Sequence, residues 1–219
     1  ISVTGVQTCA LPISETPRQS LTVGASPLVA STWAWPAMLA LKASHPDEAF
    51  HCYVGECEGC KALLEANSID ACITSCQEID QAYDAVELGD DEYLMVAAPA
   101  LAAEIKNVAD LASVSLIELD RSYPLLARLP TDVRAALRCR EVWFAGAVTQ
   151  ALAAAHQGFG VTIAPSSLVA SSLASQKLVA ILPELELAPE HYRLVYRKNR
   201  GLEAFVQRLA AELKARRAR

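Results

Sequence analysis

The chain of 219 residues lacks two features that would place it in a functional class at once. It has no apolar run of the roughly 18 residues that a membrane-spanning helix requires, so we expect no contact with a membrane. It has no excess of positive charge, since 19 Lys and Arg stand against 25 Asp and Glu, for a formal net charge of -6. An acidic chain does not neutralise a phosphate backbone, so we expect no direct binding to nucleic acid.

The sequence also lacks the motifs of common enzymes. The segment GASPL has Leu28 where the nucleophile turn of a hydrolase requires a second glycine. The segment GFG, residues 158–160, has no third glycine and precedes a predicted strand, whereas a dinucleotide-binding loop opens a helix. The four histidines are scattered along the chain. We therefore predict no catalytic residues, no metal site and no cofactor.

The first twenty residues differ from the remainder. Residues 3–13, VTGVQTCALPI, resemble the conceptual translation of a sequencing-adapter oligonucleotide, and residues 14–20 are a polar stretch. A signal peptide is the competing interpretation, but no Lys or Arg precedes the apolar stretch, and polar residues interrupt it. We predict that residues 1–20 are an adapter-derived segment and a linker, and that the natural chain has a further domain before them.

Two segments, residues 21–46 and 147–183, combine a short apolar strand, a turn of small residues and an apolar-faced helix. A strand that ends in Gly, Ser or Pro and leads into a helix is the unit of an open parallel sheet. Two such regions with a middle segment between them predict two α/β lobes. Their strand ends would converge on a shared cleft, which is where such sheets bind ligands.

Hydrophobic periodicity and turn residues predict the individual elements. We predict strands at residues 21–25, 50–54, 69–74, 83–88, 93–97, 115–119, 137–143, 161–164, 178–182 and 191–197, with an acidic turn at residues 89–92. We predict helices or helical turns at residues 29–43, 57–66, 108–111, 125–129, 132–136, 147–157, 167–174 and 202–216. Pro36 favours a kink or a broken first turn in the first helix.

The order and spacing of several motifs resemble the effector-binding domain of LysR-type transcriptional regulators. The motifs extend over almost all of the chain after residue 20: LTVGAS (21–26), ALKASHP (40–46), GCKALLEANSIDACI (59–73), VELGDDEYLMVAAP (86–99), QGFGVTIAPSSLVASSLASQKLVAILPEL (157–185), YRLVYRKN (192–199) and a final helix with EAFVQRL (203–209). Two features depart from the family pattern. Asn67 and Ser68 stand where glycine is usual, and five cysteines fall within 25 residues.

The resemblance implies an α/β fold of two Rossmann-like subdomains joined by two crossover strands, like a type 2 periplasmic binding protein. Subdomain I would comprise residues 21–96 and 198–219, and subdomain II residues 97–197, with a small-molecule effector between them. The resemblance also implies a winged helix-turn-helix domain, missing from the N-terminus here, through which alone the protein would contact DNA.

A large apolar core without an export signal favours reduced cysteines, and so predicts a cytoplasmic protein. The resemblance implies that the protein forms a homodimer or a homotetramer. Two copies would pair antiparallel, through the first helix of one lobe and a helix of the other. Trp33 and Trp35 are candidates for this face, with packing in the core as the alternative for Trp33.

Polar residues at predicted strand ends and helix starts form the candidate effector site. A helix start offers unpaired backbone N–H groups that suit a carboxylate or another anion, so we expect a small, anionic metabolite. Ordinary capping and turn chemistry is the competing interpretation for each residue taken alone. The candidate effector-binding residues are Ser26, Ser31, Thr32, Gly55, Glu56, Thr74, Ser75, Arg121, Ser122, Phe144 and Ala145.

Cys57 and Cys76 are candidate redox residues because both follow predicted strands. A pair such as Cys57 and Cys60 at a helix start can have a lowered thiol pKa or bind a soft metal. The competing interpretation is that Cys52 and Cys72 are small core residues and that the other cysteines are incidental. Two alternatives to the regulator therefore stay open: a free solute-binding protein of the same fold, and a cysteine-based redox or metal sensor.

Overall fold

The computed structural model describes residues 20–76, 80–119, 121, 124–198 and 201–217, which form two five-stranded sheets with helices around them. The strands are β1 (Ser20–Ala25), β2 (Ala49–Val54), β3 (Ala71–Thr74), β4 (Tyr83–Asp91), β5 (Tyr93–Ala97), β6 (Ser115–Glu118), β7 (Glu141–Phe144), β8 (Val161–Pro165), β9 (Val179–Ala180) and β10 (Glu190–Arg197). Residues 1–19 of the predicted adapter-derived segment and linker lie outside the described residues.

The described helices are α1 (Pro27–Val29), α2 (Trp35–Ser44), α3 (Cys57–Glu65), α4 (Pro99–Ala102), α5 (Thr131–Ala136), α6 (Val148–His156), α7 (Ser166–Ala174) and α8 (Glu203–Arg217), with 3₁₀ helices at Val108–Ser113 and Leu125–Arg128. Among the described helices, α8 is the longest, with 15 residues.

The first sheet has the strand order β2-β1-β3-β10-β4. β1 pairs in parallel with β2 and β3, and β10 runs antiparallel to β3 and β4. Every residue of β3 is buried, as are four of the six residues of β1. Strands covered on both faces require such continuous apolar runs, which is the pattern that predicted a parallel sheet.

The second sheet has the order β7-β6-β8-β5-β9. β6 pairs in parallel with β7 and β8, while β5 runs antiparallel to β8 and β9. In each sheet, three neighbouring strands thus run parallel, and one further strand, β10 in the first sheet and β5 in the second, runs antiparallel to both of its neighbours. The predicted α/β fold of two Rossmann-like subdomains is confirmed.

The core of the first sheet is closed by α2 and α8. Phe205, Leu209 and Leu213 of α8 are buried, as its predicted apolar face requires. They share one cluster with Trp33, whose ring meets that of Tyr192 edge-on at a centroid distance of 4.8 Å. Trp33 is therefore a core residue.

The first helix contains a π-helical turn at Ala30–Ala34, between α1 and α2. Pro36 has no N–H to donate to the preceding turn. Next to it, the N–H of Trp35 bonds to the carbonyl of Ala30, five residues back. The disturbance predicted at Pro36 is thus a π turn, and the helix continues beyond it to Ser44.

Three of the described helices are followed by a residue with a positive φ: Asn67 after α3 with φ of 58°, Gly158 after α6 with φ of 76°, and Gln176 after α7 with φ of 54°. In each case the N–H of the following residue bonds to a carbonyl of the last helical turn: Ser68 donates to Leu63 at 2.8 Å, Phe159 to Ala154 at 3.1 Å and Lys177 to Ser172 at 2.9 Å. Asn67 can replace the glycine of the family pattern because asparagine tolerates the left-handed conformation.

Two predictions of local structure are wrong. Residues 89–92 do not form a turn, because β4 accommodates an extra residue in a bulge beside Gly89, which has φ of 99°, and continues through Asp91. The strand predicted at residues 137–143 begins only at Glu141, since Leu137 turns into the core of the second sheet. Pro99 opens the short helix α4, because proline suits the first turn of a helix.

The strand pairing bears on the predicted subdomain limits. All of β5 lies in the second sheet and all of β10 lies in the first. A division of the chain by sheets would therefore fall near Glu92 and Glu190, and not at 96/97 and 197/198. The assignment of whole subdomains stays a proposal.

Candidate functional site

The carboxyl ends of the parallel strands in the two sheets border one cleft. In the first sheet, Asp91 at the end of β4 pairs with Glu190 at the start of β10, beside the end of β3. In the second sheet, Tyr93 at the start of β5 pairs with Pro165 at the end of β8. The chain crosses between the sheets at Glu92 and again just before Glu190. Both carboxyl edges therefore face the crossover, and the two edges face each other.

Ser26 lies at the end of β1, where the two lobes meet. Its hydroxyl accepts a long hydrogen bond of 3.5 Å from the N–H of Val29 at the start of α1. Gly55 lies beside it, because the Gly55 N–H donates to the carbonyl of Ala25 at 3.0 Å. Leu28 packs against the apolar cluster of the second sheet. Ser26 and Gly55 are thus brought together next to a contact between the lobes.

Ser31 and Thr32 lie within the π-helical turn and not at the helix start. The Ser31 hydroxyl donates to the carbonyls of Pro27 and Leu28 at 2.9 and 3.0 Å, and the Thr32 hydroxyl donates to Leu28 at 2.8 Å. The helix begins at Pro27, so the backbone N–H groups of Ser31 and Thr32 are beyond the unpaired first turn. A ligand would have to compete with these local bonds.

The ends of β2 and β3 bring Thr74 together with Cys57 and Cys76. The Thr74 hydroxyl lies 2.8 Å from the Cys57 sulfur and accepts the N–H of Cys76 at 3.0 Å. Burial, followed by the neighbouring Cys76 side chain, raises the pKa of Cys57 to about 11. The pKa is therefore raised, and not lowered as a cysteine pair at a helix start allows. Glu56 precedes this cluster as the exposed N-cap residue of α3.

The neighbouring cysteines are core residues. Cys60 and Cys72 are 1% and 2% exposed and pack in one apolar cluster. Burial is the main cause that raises the pKa of Cys72 to about 12. Gly24 makes room for this packing, since a Cβ there would lie 3.1 Å from the Cys60 sulfur. Cys52 packs against the core of the first sheet. The core interpretation is confirmed for Cys52 and Cys72.

The second sheet contributes Arg121, Phe144 and Ala145. The guanidinium carbon of Arg121 lies 5.4 Å from the ring centroid of Phe144, which is 49% exposed. Ala145 donates its N–H to the carbonyl of Glu118 at 2.8 Å, which ties the end of β7 to the end of β6. This edge therefore presents an exposed cation on an aromatic ring. Ser122 lies outside the described residues.

Four side chains, Ser75, Tyr93, Arg128 and Glu190, link the two sheets, and we call them the joint. One oxygen of Glu190 accepts the Ser75 hydroxyl at 2.6 Å. The other accepts the Tyr93 hydroxyl at 2.8 Å and pairs with Arg128. The guanidinium of Arg128 lies 3.6 Å from the Tyr93 ring centroid. Burial is the main cause that raises the pKa of Tyr93, so the phenol stays protonated and can donate.

Sequence reasoning missed most of the joint. Arg128 could have been predicted, because it is a cation within the apolar run LLARLP (125–130). A guanidinium buried in such a run needs a carboxylate partner. That partner, Glu190, is 62 residues away and cannot be identified from spacing. Glu118, also missed, is buried and accepts the N–H groups of Leu125 and Leu126 at 2.6 and 2.9 Å. It thereby holds the 3₁₀ helix that carries Arg128.

Two cavities lie near the cleft. One of about 500 Å³ lies at the crossover from β4 to β5 and is lined by Asp90, Asp91, Glu92, Leu94, Ser166, Ser167, Ala170 and Leu173. The other is smaller, lies between α3 and β3, and includes Thr74 and Cys76 in its lining. Of the predicted effector-binding residues that the structure describes, Thr74 alone lines one of these two cavities.

Within the ranges that the structure describes, no group of three or more His, Cys, Asp or Glu is placed to hold a metal ion. Within the same ranges, no helix combines the length and the apolar character needed to cross a membrane.

Comparisons with known proteins relate this fold to one family. The family model described as LysR substrate binding domain matches residues 14–218. A comparison with curated proteins finds no match.

Solved structures of LysR-type regulators share the fold. The reduced regulatory domain of OxyR2 from Vibrio vulnificus is 18% identical, with a TM-score of 0.75, over 94% of this chain and 99% of that one. ArgP from Mycobacterium tuberculosis is 18% identical, with a TM-score of 0.74, over 93% and 69%. LysG from Corynebacterium glutamicum, with bound effector Arg, is 17% identical, with a TM-score of 0.70, over 91% and 67%.

Proposed function

The chain belongs to the family of LysR substrate binding domains, which are the effector-binding domains of LysR-type transcriptional regulators, and we propose that it binds a small, anionic metabolite in the cleft between its two sheets. The bound effector changes how a winged helix-turn-helix domain, N-terminal in the whole regulator, engages DNA. The chain itself performs no catalysis, and the protein acts in the cytoplasm.

The observation that carries this proposal is the meeting of two sets of strand ends at one cleft. Ser26, Gly55 and Thr74 lie on one edge, and Arg121 and Phe144 lie on the other. Ligands of open α/β sheets bind at the carboxyl ends of the strands. A molecule held here would contact both lobes, so its binding free energy would depend on their relative position.

The charge of the expected ligand follows from two groups on opposite edges. The exposed guanidinium of Arg121 supplies a positive charge, held over the ring of Phe144. The start of the first helix, after Ser26, supplies the backbone N–H groups of Leu28 and Val29 and the positive end of the helix dipole. LysG, which shares the fold, has arginine as its bound effector, and an amino acid carries a carboxylate of this kind.

The joint offers a route from the cleft to the crossover. Ser75 stands at the end of β3, where a ligand would approach, and its hydroxyl donates to Glu190. Glu190 begins one of the two connections between the sheets and is held there by Arg128 of the other lobe. A ligand that takes the Ser75 hydroxyl changes the bonds that fix this connection. The lobes then settle in a new relative position.

The proposed oligomer is a homodimer or homotetramer formed through the first helix of one lobe. Trp35 and Leu39, both on α2, are 47% and 53% exposed. Large apolar side chains on one helix surface favour burial against a partner. Trp33 does not serve this face, because it lies in the core.

A thermal-shift screen tests the proposed function. The panel contains amino acids, small mono- and dicarboxylates and sulfate, each against the purified chain. A ligand at about a hundred times its Kd adds roughly 2.7 kcal/mol to the free energy of unfolding. For a chain of this size, that raises the Tm by about 5–10 °C.

Variants of the cleft and one matched control complete the test. Ser26→Ala and Ser75→Ala should each weaken the binding of the hit by roughly ten-fold, since each removes a hydroxyl that the proposal assigns to the ligand. Ser113→Ala is the control, because Ser113 is an exposed serine just before the amino end of β6, away from the cleft. A hit whose affinity is unchanged in both cleft variants would place the ligand elsewhere.

A further inference from the structure

Two thiols from different parts of the chain meet at the carboxyl edge of the first sheet. Cys57 opens α3 after β2, and Cys76 follows β3. The Cys57 sulfur lies 2.8 Å from the Thr74 hydroxyl, and the Cys76 side chain is close enough to contribute to the raised pKa of Cys57. The same Thr74 hydroxyl accepts the Cys76 N–H at 3.0 Å. The two cysteines are thus held side by side.

The surroundings of this pair differ from those of the core cysteines. Cys60 and Cys72 are almost fully buried among apolar side chains, where cysteine serves as a small hydrophobic residue. Cys57 and Cys76 are only half-buried, and the Cys76 sulfur lies 4.0 Å from the exposed carboxylate of Glu58. A small reagent can therefore reach the pair, whereas it cannot reach the core thiols.

We propose that Cys57 and Cys76 form a reversible disulfide by exchange with small-molecule disulfides of the glutathione class. The Cys76 thiolate attacks one sulfur of the small disulfide, and the first thiol leaves. The Cys57 thiolate then attacks the Cys76 sulfur of the mixed disulfide, and the second thiol leaves. Two protein thiols are oxidised, one small disulfide is reduced to two thiols, and the two protons pass to the leaving thiolates.

The roles of the two cysteines follow from their environments. Burial is the main cause that raises the pKa of Cys57 to about 11, so only on the order of one molecule in ten thousand carries this thiolate at pH 7. Cys57 is therefore the resolving cysteine, whose partner is already beside it, and Cys76 makes the first attack. The Thr74 hydroxyl lies 2.8 Å from the Cys57 sulfur and stabilises its thiolate as it forms.

The disulfide would tie the start of α3 to the segment after β3. It would also withdraw the Cys57 thiol from the Thr74 hydroxyl, next to Ser75 of the joint. An effect on effector binding rests on the proposed function. Formation of the disulfide does not, because it is measured on the chain without any effector.

The experiment exposes the reduced chain to oxidised glutathione at pH 8, blocks the remaining thiols with iodoacetamide, and maps the products by tandem mass spectrometry. We expect a cross-link between Cys57 and Cys76 that dithiothreitol reverses. With Cys57→Ser, glutathione should accumulate on Cys76. With Cys76→Ser, cross-link and adduct should both be lost from this edge. Cys139→Ser, in the second sheet, is the control and should react like the parent chain.

The pH dependence gives a second readout that needs no variant. If Cys57 resolves the mixed disulfide, the rate of cross-linking should rise as the pH rises from 7 towards 10, because burial raises the pKa of Cys57 and little of its thiolate is present at pH 7. A stable glutathione adduct on Cys76 of the parent chain, or a cross-link that joins another pair of cysteines, would overturn the proposal.

Discussion

Arg128 and Glu190 form a buried ion pair that joins the two sheets. Arg128 ends the 3₁₀ helix packed on the second sheet, and Glu190 begins the strand that returns the chain to the first sheet. Their side chains are 11% and 10% exposed. A charge pair this far from water is fixed in position by its other partners, here Tyr93 and Ser75, and it therefore defines how the two lobes meet.

Replacing Glu190 tests this relationship. Glu190→Gln removes the negative charge and leaves the Arg128 guanidinium buried beside a neutral amide. We expect the free energy of unfolding to fall by about 3 kcal/mol, measured by urea denaturation. Glu186→Gln, at an exposed position of the same connection, should change it by less than about 0.5 kcal/mol. Equal stability of the two variants would show that the ion pair does not hold the lobes.

Gly160 and Gly59 form a matched pair for a test of packing. A Cβ at Gly160 would lie 2.5 Å from the backbone oxygen of Ser115, so β8 could no longer approach β6. Gly160→Ala should lower the free energy of unfolding by about 2–3 kcal/mol. A Cβ at Gly59 meets nothing within 4 Å, and Gly59 lies inside α3. Gly59→Ala should therefore raise stability by about 0.5–1 kcal/mol. A neutral Gly160→Ala variant would contradict the close approach of the two strands.

His191 predicts a pH-dependent contribution to stability. Hydrogen bonds from its ring to Asp90 first, and to Glu87 next, raise the pKa of His191 in the folded chain. A raised pKa means that the folded state binds the proton more tightly than the unfolded state, so the stabilising contribution is present below about pH 6.5. It is lost as the pH rises through the folded pKa. The parent chain should thus exceed His191→Gln in stability near pH 6 and lose this advantage by about pH 9.

Urea denaturation of both chains across this range provides the measurement. His51→Gln, at an exposed histidine of β2, is the control for the loss of an imidazole. An advantage of the parent chain that stays constant or grows between pH 6 and pH 9 would contradict the assigned direction of the pKa shift.

Most of the fold could be predicted from local patterns. The strands at the centre of each sheet are short apolar runs, and Asn67 and Gly158 end their helices as their residue types suggest. The failures have a common physical cause, because the bulge at Gly89 and the turn at Leu137 depend on partners distant in the chain. Hydrophobic periodicity and turn residues give information only about residues that are close together in the chain.

In the candidate site too, local patterns predict some residues, and distant partners decide the others. Ser26 and Thr74 follow strands, so their place at the cleft edge could be predicted. The helical hydroxyls of Ser31 and Thr32 could not be assigned, since their bonds depend on where the helix begins. Glu190 was missed because a carboxylate at a strand start looks like any exposed residue. Only the fold brings it to Arg128.

Hydrogen–deuterium exchange tests the central claim, binding between the two sheets, most directly. The chain is measured alone and with the compound that gives the largest saturable shift in the thermal screen. A ligand held by both lobes should slow amide exchange on both edges of the cleft, at residues 26–32 and 74–76 and also at residues 118–121 and 144–147. Slowed exchange confined to one sheet, or to the cavity at residues 90–94 and 166–173, would contradict the account.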